Sequence, residues 1–312
     1  MPPRRTPSGA EVLRLLTGDL VPAPVRGPDG RYRPPIPVGR RVELPGRGTT
    51  FVREVPGPLG APTVLLLHGW MASGGLNWFR TFETLGQEFR VVAPDLRGHG
   101  RGLRSRRHVR LSDSADDLAA LLDELGTGPV VAAGYSMGGP IAQLLWHRHP
   151  KQVSGLVLCA TAADFQRGTV AGRSFDAWLA GLAGAARLTE PLAALPATGA
   201  RLLRRARAHR PAGFLEWAAE ELRRHDVRML VESARMITRY DATGWIREVD
   251  VPTSVVITTR DRVVMPATQG ELAAAIPRTR VVEHVGGHLA CSRSTFAAPM
   301  LEACRDVAWH AA

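Results

Sequence analysis

Lysine, cysteine and long apolar runs are all scarce in this chain. Lys151 is the only lysine, against 40 lysines and arginines together. The 3 cysteines, Cys159, Cys291 and Cys304, form an odd, sparse set without Cys-x-x-Cys spacing. That argues against a disulfide framework or a zinc site. Cys159 lies in the apolar run Gly155-Leu156-Val157-Leu158-Cys159-Ala160, where a thiol packs as a small hydrophobe. A reducing, cytoplasmic setting is therefore expected. No apolar run approaches the ~18 residues of a membrane span, so no transmembrane segment is expected. Met1-Pro2-Pro3-Arg4-Arg5-Thr6-Pro7 carries no apolar h-region, and Arg4-Arg5 is too bare for a twin-arginine export signal.

The chain has 312 residues, 45% of them hydrophobic, enough for one large α/β domain with an insertion or for two small domains. The net charge of +11 raises nucleic acid or an anionic surface as a partner. The charge is almost all arginine, scattered along the chain, and accompanied by abundant Ala, Gly and Pro. That skew matches the codon bias of a GC-rich genome. No nucleic-acid module is recognisable, so such a partner is not expected. A basic face that attracts anionic substrates or membrane surfaces stays open.

Residues 1–40 read as an N-terminal extension. Ser8-Gly9-Ala10-Glu11 has capping-box spacing and predicts a short helix through Leu16. The stretch Val21 to Pro37, rich in Pro, Gly and Arg, predicts no regular structure. From Arg41 strand and helix signals alternate. Strands are expected at Arg41–Leu44, Thr50–Glu54, Thr63–Leu67, Arg90–Ala93, Pro129–Ala133 and Val153–Ala160. Trp78, Phe79, Phe82 and Leu85 have helical spacing, and a second helix is expected after Ser114, with Asp116 and Asp117 in its first turn. A third runs from Pro140 to His149. The rhythm breaks over residues 164–247, which read as helical with no convincing strand. It resumes over 248–312 with a strand at Thr253–Thr258, a helix at Gln269–Ile276, a strand at Arg280–Val285 and a helix at Ala297–Trp309. Apolar strands alternating with amphipathic helices predict a mostly parallel central sheet with helices on both faces. Residues 41–163 and 248–312 would form its two parts, with 164–247 inserted as a helical cap. No internal repeat is visible.

The most informative stretch is Gly134-Tyr135-Ser136-Met137-Gly138-Gly139, set between an expected strand and an expected helix. Gly134 and Gly138 leave room for a strained turn that a Cβ would crowd. Ser136 would stand at its tip, above a helix N-terminus whose dipole favours developing negative charge. Such a serine needs a base. In a parallel sheet, reactive groups gather beyond the carboxyl ends of the strands. Two candidates lie there, Asp261 in Thr259-Arg260-Asp261-Arg262 and His288 in Gly286-Gly287-His288-Leu289. The order Ser, Asp, His along the chain resembles the α/β-hydrolases.

The resemblance implies that His288 takes the proton of Ser136 as general base and that Asp261 holds its tautomer. The backbone N–H of Met137 and that of Trp70, after His68-Gly69, stand where the family places its oxyanion donors. Pro94-Asp95-Leu96-Arg97-Gly98-His99-Gly100 is similar to the family's structural loop after an early strand. The resemblance covers residues 41–163 and 248–312; it explains neither the extension nor the cap.

Blander readings stand beside these. His284 is a rival base, but it falls inside an expected strand. Asp164 is the alternative acid, because some members of the fold supply it from the preceding strand end. His68 and His99 read as organisers of turns. Within the cap, Phe175, Trp178, Leu182, Phe214, Leu215, Trp217, Met229, Leu230, Met236 and Ile237 either line an acyl pocket or pack the cap onto the core. Arg201, Arg204, Arg205, Arg207 and Arg210 read as a solvated face.

The function expected is cleavage of a carboxylic ester, or a related acyl compound, by a serine hydrolase working through an acyl-enzyme on Ser136. Such chemistry requires no cofactor and no metal. The substrate would be a small, partly hydrophobic acyl compound. Thioesterase, lactonase, carbon–carbon hydrolase, perhydrolase and acyltransferase share these residues, and a non-catalytic binder of a hydrophobic ligand is the reading from another class. Haloalkane dehalogenases and epoxide hydrolases share the fold with an aspartate nucleophile, and serine at 136 argues against both.

Overall fold

The computed structural model describes residues 35–165 and 213–310, together with the short segments Val25–Arg26 and Tyr32–Arg33. These two segments pair antiparallel, in a stretch expected to lack regular structure. The helix expected from Ser8 to Leu16 lies outside the described residues, as do Phe175, Trp178, Leu182 and the Arg201–Arg210 run.

Eight strands form one sheet. They are β1 (Gly39–Leu44), β2 (Gly48–Val55), β3 (Thr63–Leu67), β4 (Arg90–Pro94), β5 (Val130–Tyr135), β6 (Val153–Cys159), β7 (Thr253–Thr258) and β8 (Arg280–His284). Their spatial order is β8-β7-β6-β5-β3-β4-β2-β1. Strands β3 to β8 are parallel, β2 is antiparallel to β4, and β1 closes the edge antiparallel to β2. The central strands are apolar on both faces because both faces are covered. Val64 and Leu66 pack into one layer and Leu65 and Leu67 into the other, the period-two alternation of a pleated strand.

Helices α1 (Gly74–Trp78), α2 (Phe82–Gly86), α3 (Leu111–Leu125), α4 (Gly138–Arg148), α5 (Phe214–Arg223), α6 (Val227–Thr238), α7 (Pro266–Ala275) and α8 (Ala297–His310) are described. The cores fall into two layers. One contains the apolar faces of α3, α4 and α7; the other contains those of α1, α2 and α8. The expected helix through Trp78 and Leu85 is split into α1 and α2. The Thr81 hydroxyl donates to the Trp78 carbonyl at 2.9 Å, a local bond that competes with helix continuation. Helix α3 starts at Leu111, ahead of the expected Ser114. The reason is its buried stripe, Leu111, Ala115, Leu118 and Leu122, which begins a turn earlier than the cap signal. Gly126, at φ 56°, ends that helix in the left-handed conformation.

Two features position the site. The chain leaves β3 for β4 on one side and returns to β5 on the other, so a crevice opens where these directions part. There Leu67 of β3 lies beside Gly134 of β5. The segment between β6 and β7 then carries α5 and α6, with the Asp226 side chain capping α6 by accepting from Met229 N at 3.0 Å. This segment leaves and rejoins the sheet through an isolated antiparallel bridge between Asp164 and Asp241, where no strand pairing was expected. Met229 and Trp217 are buried, and Met236 and Ile237 pack against the first core layer. Met236 and Ile237 thus pack this segment onto the body.

Helix α8 packs tightly against Gly155 of β6. A Cβ there would overlap the Val307 side chain and stand 3.0 Å from the Pro252 carbonyl. Gly155→Ala is expected to lower stability by about 1–3 kcal/mol, the usual cost of overpacking. Urea unfolding measures it, and an unchanged midpoint would refute the close-approach account.

Candidate active site

Strand β5 ends at Tyr135, and the next residue turns back sharply. Ser136 has φ 51°, in the left-handed region that non-glycine residues rarely occupy. Its surroundings hold it there. The Ser136 amide donates to the Cys159 carbonyl at 2.9 Å. The Ser136 carbonyl accepts from Gly139 N and from the Thr161 hydroxyl, both at 2.9 Å. The glycines are needed for close approach. A Cβ on Gly134 would overlap the Gly138 carbonyl, and one on Gly138 would overlap the Leu67 carbonyl. Helix α4 starts at Gly138, so its N-terminus lies directly behind the serine.

The Ser136 hydroxyl is 3.0 Å from Nε2 of His288. Nδ1 of the same ring is 2.8 Å from Oδ2 of Asp261. An ionised carboxylate only accepts, so Nδ1 carries the proton and Nε2 is left to accept from Ser136. Asp261 is buried at the end of β7. Its Oδ1 accepts from Val263 N at 2.8 Å and Val264 N at 3.0 Å, and its Oδ2 from the Thr258 hydroxyl at 2.9 Å. Burial pushes its pKa up, but the hydrogen bond and charge of His288, with the Val263 amide and Thr258 hydroxyl, outweigh that and hold it below the ordinary value.

The other expected residues go elsewhere. Asp164 sits in the bridge at the root of the insertion, and it is Asp261 that meets His288. His284 is buried at the end of β8, edge-on to Phe296 at 5.8 Å, and burial lowers its pKa. His68 is fully buried, which holds it neutral, its pKa well below the ordinary value. It donates from Nδ1 to the Gly69 carbonyl at 2.8 Å and accepts at Nε2 from Leu96 N at 2.9 Å. His99 donates to the Arg97 carbonyl at 3.0 Å, and burial lowers its pKa to about 3. Both histidines thus tie loops together. Burial raises Cys291 and Cys304 to about 12, so neither supplies a thiolate.

The loop after β3 lies against the serine. A Cβ on Gly69 would stand 3.5 Å from that of Ser136. Gly69 N donates to Asn77 Oδ1 at 3.0 Å, which anchors the loop's start. Among the described residues, the backbone N–H groups of Trp70 and Met137 donate no hydrogen bond within the protein. Sequence reading missed the Tyr135 hydroxyl, which donates to the His288 carbonyl at 2.7 Å and fixes the histidine loop. It also missed Thr161, Asn77 and Gln269, whose amide donates to the Thr258 hydroxyl at 2.9 Å and the Val264 carbonyl at 2.8 Å and so braces the Asp261 loop; their roles depend on contacts across the fold and leave no local signal. Among the described residues, no cluster of three or more His, Cys, Asp or Glu side chains could hold a metal ion. No described helix is long and apolar enough to cross a membrane.

This strand order, with a strand–turn–helix elbow at its switch point, is the architecture of the α/β hydrolase fold. Residues 62–293 match the sequence pattern of that family, and the chain belongs to it. It is similar to lipase LipV of Mycobacterium tuberculosis, 42% identical over 113 residues, which is 36% of this chain and 42% of the lipase. It is also similar to a pimeloyl-[acyl-carrier protein] methyl ester esterase of Chromobacterium violaceum, 40% identical over 106 residues, 34% of this chain and 39% of that protein. The aligned part thus spans less than half the length of these relatives. A thermophilic esterase from Thermogutta terrifontis shares the fold, with a TM-score of 0.66 at 24% identity over 87% of this chain and 99% of that one. Membership and these relatives support a hydrolase.

The Asp261 carboxyl has a lower pKa in the folded chain than the ~3.9 of an unfolded aspartate. The stability it contributes is therefore complete above that unfolded value and is lost as pH falls through the lower native one. Asp261→Asn should destabilise the fold at pH 7, and the difference from wild type should shrink below about pH 4. Urea titrations at both pH values test this; a pH-independent difference would contradict the assignment.

Proposed function

We propose that this chain is a serine hydrolase that cleaves a carboxylic ester, or a related acyl compound, through an acyl-enzyme on Ser136. The observation that carries this reading is the continuous relay from Ser136 through His288 at 3.0 Å to Asp261 at 2.8 Å. Ser136 Oγ attacks the acyl carbon while His288 Nε2 takes its proton. The buried Asp261 carboxylate stabilises the imidazolium that forms. The acyl oxygen, now negative, faces the Trp70 and Met137 backbone N–H groups and the N-terminus of α4. Collapse of the tetrahedral intermediate expels the alcohol, which takes the proton from His288. Water then attacks the acyl-serine by the same route and the acid leaves. Helices α5 and α6 act as part of a cap that shapes the acyl site.

The two relatives, a lipase and a methyl ester esterase, favour an ester among the acyl compounds. Acyl transfer differs only in whether water or another nucleophile reaches the acyl-serine.

Ser136→Ala should lower turnover of activated short-chain esters by ~10⁴-fold or more while leaving the circular dichroism unchanged. Undiminished turnover would sink the mechanism, and absence of turnover in the wild type would leave the hydrophobic-ligand binder. A fluorophosphonate should label the wild type at a single residue and fail to label this variant. Asp261→Asn should cost roughly 10³- to 10⁴-fold in kcat, and Asp164→Asn far less. The reverse order would reassign the acid.

A further inference from the structure

The loop Gly69–Ser73 carries the proposed Trp70 donor, and its strain is local. Met71 has φ 58°, a left-handed conformation in a non-glycine residue. Such a residue persists only where its surroundings over-determine it. The body holds the start of the loop through Asn77 and His68. The body also holds its end, where Leu76 N donates to the Ser73 hydroxyl at 3.1 Å and Gly74 N to Oδ1 of Asp95 at 2.8 Å. Two further contacts come from the segment between β6 and β7. The Trp70 indole Nε1 donates to the Leu230 carbonyl of α6 at 2.9 Å. The Ser73 hydroxyl donates to Oε2 of Glu221, on α5, at 3.0 Å. These two contacts grip the loop on either side of Met71.

Glu221 is the unusual member. It is 1% exposed, on a helix that otherwise covers the body. Its carboxylate also pairs with Arg101 at 2.9 Å and with Arg224 at 3.4 Å. A buried carboxylate is costly unless fully paired, and packing alone would be served better by an apolar side chain. The corner after α5 reinforces the clamp. His225 accepts from Gly100 N at 2.8 Å, and Asp226 N donates to the Gly98 carbonyl at 2.9 Å. The β4 loop and the oxyanion loop are thus seated on one surface of the insertion.

We propose that α5 and α6 position the Gly69–Ser73 loop: Glu221 and Leu230 hold it in the strained form that aims the Trp70 N–H at the acyl oxygen. This rests on the ester-cleavage reading of Ser136. Glu221 and the Trp70 indole are positioning groups, touching no substrate. The insertion then sets kcat, in addition to covering the site. Contacts made only to fasten the insertion would have no reason to flank the strained residue of this loop.

Trp70→Phe tests this with little risk to the fold. It keeps an aromatic ring while removing the indole donor with part of the ring system, at a residue that is 37% exposed. Glu221→Gln removes the charge at the other end. Each should lower kcat for an activated ester roughly 10- to 100-fold, with KM within about twofold of wild type. The fluorophosphonate labelling rate should fall by the same factor, because the phosphonyl oxygen uses the same donors. The double variant should lose less than the product of the single losses, since both act through one loop. Wild-type kcat in Trp70→Phe, with only KM or thermal stability altered, would overturn the proposal. If Glu221→Gln does not fold, Trp70→Phe alone decides. A dead Ser136→Ala beside a fully active Trp70→Phe sinks only this inference. An active Ser136→Ala sinks the ester-cleavage reading and this inference with it.

Discussion

The structure turns on one backbone-to-backbone contact. The first turn of α4 lies against the end of β3, so closely that Gly138 has no room for a Cβ beside the Leu67 carbonyl. That contact forces the chain to reverse within the elbow, which drives Ser136 to φ 51°. It also brings the residues after Leu67 alongside the serine. The strain is of the order of 1 kcal/mol. The parallel sheet on either side, apolar on both faces, supplies the rigidity that sustains it. Any looser packing of α4 on β3 would relax the turn and withdraw the hydroxyl from His288.

Around this contact, buried polar groups do the positioning and apolar groups supply the support. Asp261 receives three donors from its own strand end and a fourth from His288, so it stays ionised in a dry place. His68 stays neutral for the opposite reason, since complete burial makes the cation too costly. One group presents a fixed charge to the imidazole, and the other presents a fixed hydrogen-bond pattern to two loops. The insertion joins the same network through Glu221, and a segment that could have been a mere cover is thereby linked to the loop beside the serine.

Most of this was legible locally. The strands Thr63–Leu67 and Thr253–Thr258 stand out because uninterrupted apolar residues leave no face for water. The elbow stands out because glycine on both sides of a serine, between strand and helix, has few other uses. The start of α3 was misplaced because Ser114, a strong cap residue, is instead buried inside the helix. The antiparallel pairing of Val25–Arg26 with Tyr32–Arg33 was missed because it rests on two-residue strands, too short for periodicity.

By itself the sequence determined the layered sheet, the serine's place on it, and the pair of strand ends where an acid and a base belong. These are matters of period, glycine and chain order, all local. Only the tertiary structure decided that Asp261 and not Asp164 meets His288, that Tyr135 fixes the histidine loop, and that Glu221 reaches Ser73 across 148 positions of chain. Such pairings depend on where separate loops converge in space. A carboxylate's neighbours along the chain carry no record of the partner that the fold will bring to it.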